Sequence, residues 1–164
     1  PEELKAFSAI DAICTRLKDW KKLEQSYGKM IKRLPADGKL ELKVMLWHNL
    51  GEVMRSRRRD YEGAIAAFEV ALQLEPKNSQ RRRILGELYL SCGPNYAEKA
   101  LATYQRLLED EPRDVELYRT VLSLYLDAGR YARASSLAVG FTQKAARGGE
   151  GPGAAVAAGV AVER

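Results

Sequence analysis

The chain has 164 residues, of which 46% are hydrophobic and 30% charged. That is enough for one domain with a sizeable core and ordinary for a globular protein. Its 27 basic and 22 acidic residues leave a net charge of +5, a mild excess that does not mark a nucleic-acid binder unless the bases cluster on one face. Two distant cysteines, Cys14 and Cys92, and a single histidine, His48, argue against a disulfide framework or a repeated metal-ligand spacing and fit a reducing, cytoplasmic setting.

The chain opens PEELKAF, with neither an initiator Met nor the basic-then-apolar start of a signal peptide, and so reads as an excised segment. Residues 3–34 pattern as two helices. Phe7, Ile10, Cys14 and Leu17 fall at helical spacing, then Asp19 caps a second run carrying Leu23, Tyr27 and Met30 and closed by Pro35. Between Ala36 and Glu41, Gly38 marks a turn.

The clearest stretch is Trp47 to Pro76. Trp47, Leu50, Gly51 and Met54 lie on one short helical pattern, and Ala64, Phe68 and Ala71 on the next. Gly51, Ala64 and Ala71 let two helices approach closely while Trp47, Leu50 and Phe68 fill the space between them. The pattern returns with Leu85, Gly86 and Tyr89, a stop at Cys92-Gly93-Pro94, an Asn95/Glu98 capping pair, then Ala100, Tyr104 and Leu107 before Pro112. A fourth copy carries Tyr118, Val121, Leu122 and Tyr125, a stop at Gly129, and Ala134, Ala138 and Phe141. Residues 148–164, GGEGPGAAVAAGVAVER, lack anchoring side chains and read as a flexible Gly/Ala-rich tail. The apolar run from Ala154 to Val162 is far short of the ~20 residues a membrane helix needs.

This order of residues resembles the tetratricopeptide repeat, in which a large residue, a Leu-Gly pair, a small-aromatic-small set and a closing Pro mark each helix pair. Four units are expected, at 3–35, 44–77, 79–113 and 115–147, within one domain over 1–147. Departures are Asp11 and Leu122 at Gly positions, Arg82 in place of the large aromatic, and Met54 in place of the first-helix aromatic. Pro35, Pro76 and Pro112 are 41 and 36 residues apart, against about 34 for the family. The surplus falls in the linker after Pro35, the Ser56-to-Asp60 turn and the Cys92-to-Asn95 turn, where insertion is tolerated.

The resemblance implies an all-α fold, a right-handed α-solenoid of antiparallel helix pairs whose first helices line a concave groove. It also implies a non-catalytic scaffold that binds a peptide or protein segment there, with no cofactor and no metal. Carried over residue by residue, the groove candidates are His48, Glu52 and Arg55 in the second unit, Arg83 and Glu87 in the third, and Arg119, Ser123 and Asp127 in the fourth. Lys5, Ser8 and Arg16 are their counterparts in the first unit, and Met45, Gln80, Leu90 and Glu116 complete the set. Ala12, Glu52, Glu87 and Ser123 stand where the chaperone-tail clamp of one subclass has Asn, so that clamp is not reproduced.

The alternative is a nucleic-acid-associated repeat using two arginine runs, Arg55 with Arg57 to Arg59, and Arg81 to Arg83. The runs belong to different turns, and the simpler reading makes both solvated turns and helix ends. Most tyrosines recur at packing positions, so core filling outweighs base stacking. Neither His48, which lacks a neighbouring nucleophile, nor Glu109, Asp110 and Glu111 at a helix end make a catalytic set. The last unit, including Leu137 and Phe141, is expected to leave an apolar face partly open for further repeats, a second copy of the chain or a partner.

Overall fold

The structure, a computed structural model, describes residues 2–35 and 38–147, among which there are eight α-helices and no strand. They are α1 (Glu2–Leu17), α2 (Trp20–Arg33), α3 (Leu40–Val53), α4 (Tyr61–Leu74), α5 (Ser79–Ser91), α6 (Ala97–Asp110), α7 (Val115–Asp127) and α8 (Tyr131–Arg147). A π-helical turn, Met54–Arg58, follows α3, and a 3₁₀ turn, Pro94–Tyr96, precedes α6. The expected tail at 148–164 lies outside the described residues. No described helix is long and apolar enough to cross a membrane.

The caps follow the sequence. Asp19 accepts from the Lys22 amide at 3.1 Å, Asp60 from Gly63 at 3.0 Å, Asn78 from Arg81 at 2.9 Å, and Asp114 from Leu117 at 3.2 Å. Each satisfies an amide that the first helical turn leaves without an intrahelical partner. The expected Asn95/Glu98 cap does not form. The 3₁₀ turn places Tyr96 at the start of α6 with no side-chain cap, and Glu98 pairs instead with Arg130 at 2.5 Å. The turns before α2, α4, α6 and α8 each pass through a left-handed residue, namely Lys18, Arg59, Gly93 and Gly129.

The chain divides into two compact units, Pro1–Cys92 and Gly93–Arg164. The division falls inside the third expected helix pair, at Gly93, whose φ of 89° is followed by Pro94.

In the first unit α1 packs on α2, α2 on α3, α3 on α4 and α4 on α5. Cys14, Leu23, Tyr27, Met30, Leu46, Leu50 and Ala67 form a buried cluster, with Phe7, Trp20, Trp47 and Met54 packed against it. Met54, at the aromatic position, therefore takes the packing role expected of it. Asp11 is half-buried beside Tyr27, whose hydroxyl is pushed up by burial and by that carboxylate. Ile10 and Leu17, read as core-facing from their spacing, are exposed at 44% and 67%. The side of α1 that meets α2 is the one carrying Phe7 and Cys14.

In the second unit α6 packs on α7 and α7 on α8, around Leu101, Tyr104, Leu107, Leu117, Val121, Tyr125 and Ala134. Leu137 packs partly against this cluster, and the Phe141 ring lies 4.2 Å from Tyr118. The expected open face is thus partly closed at those two residues, and among the described residues of α8 Tyr131 and Val139 are exposed large hydrophobic side chains.

Candidate functional site

On α3 the periodicity sorts the side chains onto two faces. Leu46 and Leu50 are buried, and Gly51 lies against the Phe68 ring of α4. His48, Glu52 and Arg55, at i, i+4 and i+7, share the neighbouring stripe and are half-buried. Both carboxylate oxygens of Glu52 accept from Arg55, at 3.0 and 3.2 Å. The His48 imidazole meets Phe68 edge to face, with centroids 5.4 Å apart. Burial holds its pKa below the usual value, and the nearby Arg81 guanidinium lowers it further, so the ring is neutral at pH 7.

Arg81 was not among the groove candidates, and the reading of its run as a solvated turn is overturned. Arg81 and Arg82 are buried, with 5% and 8% exposure. Arg81 donates from Nη1 to the Ala71 carbonyl at 3.3 Å and to Glu75 at 2.9 Å, closing the C-terminal end of α4. Arg82, at the position of the missing aromatic, donates to the Pro76 carbonyl. The signal was present in the sequence, because residues 81, 85 and 88 are spaced i, i+4 and i+7, and Leu85 and Leu88 are core residues. A guanidinium is tolerated on that face because the Ala71 carbonyl, which also accepts from the Glu75 amide, has a second lone pair for Arg81, and the Glu75 carboxylate pairs its charge.

The other arginine run is also partly committed to packing. Arg57 stacks over Trp20 at 5.1 Å, and Arg58 pairs with Glu24, pinning the π-helical turn to α2. That turn absorbs the single surplus residue expected between Ser56 and Asp60.

The structure therefore brings together His48, Glu52 and Arg55 and adds Arg81. Arg83 is half-buried and Glu87 exposed on α5. In the second unit Arg119 pairs with Glu116 at 3.3 Å, and Ser123 donates to Asp127 at 3.5 Å, along the exposed side of α7. Among the described residues no group of three or more His, Cys, Asp or Glu could hold a metal ion. The chemistry on offer at the α3 face is hydrogen-bond donation from guanidinium and imidazole nitrogens beside one carboxylate.

Comparison with known families and structures gives a consistent result. Residues 57–123 match the family model for the tetratricopeptide repeat. No curated protein sequence matches the chain. A tetratricopeptide repeat protein from Parabacteroides merdae is similar in fold, with a TM-score of 0.64 and 23% identity, over 84% of this chain and 52% of that one. MamA from Desulfovibrio magneticus RS-1 gives 0.58 and 15%, over 84% and 73% of the two chains. A chain in the structure of Naa15/Naa10 bound to HypK-THB gives 0.56 and 18%, over 93% of this chain and 26% of that one. The chain thus spans about half the length of the first of these and a quarter of the last. At such identities the structural likeness is one of fold. With the repeat residues, the all-α helix pairing and the match all in agreement, residues 57–123 carry the tetratricopeptide repeat.

Proposed function

We propose that the chain is a non-catalytic protein-interaction scaffold, acting in the cytoplasm, that takes a peptide or protein segment on the face of its first helices. The observation that carries this reading is the stripe of His48 and Glu52 on α3 and Arg55 in the π-helical turn that continues it. These polar side chains are ordered on a helix whose opposite side is locked into the core by Leu46 and Leu50, and a rigid support of this kind lowers the entropic cost of binding. Arg83 and Glu87 extend the face on α5, and Arg119, Ser123 and Asp127 offer a like face in the second unit. The family fold and a fold neighbour found within an assembly support the general role. The groove residues themselves are the finer part of the proposal.

The test begins with segments selected for binding from a random peptide library, followed by mapping of amide and side-chain NMR shifts. Perturbation at His48, Glu52, Arg55 and Arg83 is expected. Charge reversal of Arg83 and Arg119 to Glu is expected to weaken binding while helicity by circular dichroism is retained. Unchanged affinity in that double variant, or a footprint confined to the outer side of α1, overturns the groove assignment.

A further inference from the structure

We infer that the α3 face, where Arg81 of α5 approaches His48, holds a subsite for an oxyanion, the carboxylate or phosphate of a side chain carried by the bound segment. This deepens the scaffold reading and rests on it for the identity of the carrier. Among the described residues, three buried side-chain nitrogens of the first unit have no hydrogen-bond partner: Nδ1 of His48, Nε of Arg55 and Nε of Arg81. They belong to one neighbourhood. His48 stands on the Phe68 ring of α4, and Arg81 donates to Ala71, less than one turn further along the same helix. Both Arg55 and Arg81 act on the imidazole electrostatically.

The two guanidinium groups have each spent one edge. Arg55 uses Nη2 on Glu52, and Arg81 uses Nη1 on Ala71 and Glu75. Each retains its Nε–H, the donor that meets an oxyanion side-on together with a terminal N–H. A buried donor without an acceptor is costly, and Arg81 is 95% buried by its 5% exposure, so a ligand that satisfies it gains more than a surface arginine would give. Arg55 is paired with Glu52 and Arg81 with Glu75, so the formal charges cancel, and what the site has left over is Nε–H donors, which accept no cation. An oxyanion is therefore favoured over a cation, and Glu52 is its direct competitor for Arg55.

The probes are sodium phosphate and sodium acetate, titrated into the whole chain at fixed pH with chloride adjusted to hold ionic strength constant. His48 is the chain's one histidine, so its imidazole signals report the site without ambiguity. A saturable His48 shift is expected, with a Kd on the order of millimolar. A tighter response to phosphate identifies a phosphorylated side chain as the natural carrier, and a tighter response to acetate an acidic one. Glu52→Gln is expected to tighten binding by about threefold to tenfold by removing the competing charge. Arg55→Gln and Arg81→Gln are each expected to abolish saturation. Should Arg81→Gln fail to fold, Arg55→Gln decides, since the ion pair of Arg55 is the local one with Glu52, three residues back. A linear drift with both salts, or a saturable shift indifferent to Arg55→Gln, overturns the subsite. Peptide binding that persists without any oxyanion effect removes the subsite and leaves the scaffold. Oxyanion binding with the peptide footprint elsewhere does the reverse.

Discussion

Gly51 of α3 lies so close to Phe68 of α4 that a Cβ at residue 51 would stand 2.9 Å from two carbons of the ring. Phe68 is fully buried and cannot swing aside. The closeness of this helix pair is set by a missing side chain on one helix and a large one on the other.

Gly51→Ala should therefore destabilise the fold by about 1–3 kcal/mol through overpacking. Gly28 of α2 supplies the control, since a Cβ there meets nothing within 4 Å. Gly28→Ala should stabilise by about 0.5–1 kcal/mol, the usual gain from removing Gly from a helix interior. Urea unfolding of the two variants checks the opposite signs.

Arg81→Gln should lower the urea midpoint, because it removes a buried donor from the Ala71 carbonyl and Glu75, which keep the Glu75 amide and Asn78 as donors. It should also alter the acid limb of the stability curve. The Arg81 hydrogen bond, with help from Asn78, holds the Glu75 carboxyl below its ordinary 4.5. A depressed carboxylate contributes stability that is full above 4.5 and lost as pH falls through the lowered value. The variant should show a shallower loss below pH 4.5 in urea midpoints measured across pH.

His48 should titrate below its ordinary value of 6.5, because the folded protein favours the neutral ring. In the window beneath 6.5 the unfolded chain binds more protons, so stability falls as pH drops from 6.5 through the folded pKa and is flat above. An NMR titration gives the pKa directly. His48→Leu should remove this part of the pH dependence, and a folded pKa at or above 6.5 would contradict the burial described.

Lys18 has a φ of 56° in the turn between α1 and α2, where the equivalent turns before α6 and α8 use Gly93 and Gly129. Lys18→Gly should relieve left-handed strain and raise stability by about 0.5–1 kcal/mol. A Tm shift of a few degrees upward is the expected result.

By itself the sequence determined which residues form helices and where these stop. Asp19, Asp60, Asn78 and Asp114 cap, Gly93 and Gly129 end, and the 3.6-residue spacing of Leu46, Leu50, Leu85 and Tyr89 marks what is buried. These are local effects, settled within a turn or two of chain. The resemblance to the repeat family implied His48, Glu52 and Arg55 as groove candidates, and at i, i+4 and i+7 they lie on one half-buried stripe. Only the tertiary structure decided the fate of the arginines. Arg81 is buried because the end of α4 presents the Ala71 carbonyl and the Glu75 carboxylate to it, and Arg57 is held by Trp20 two helices back. A guanidinium has both a charge and a long apolar stem, so its sequence position is compatible with solvent or with the core. The choice is made by the groups that another segment brings within reach.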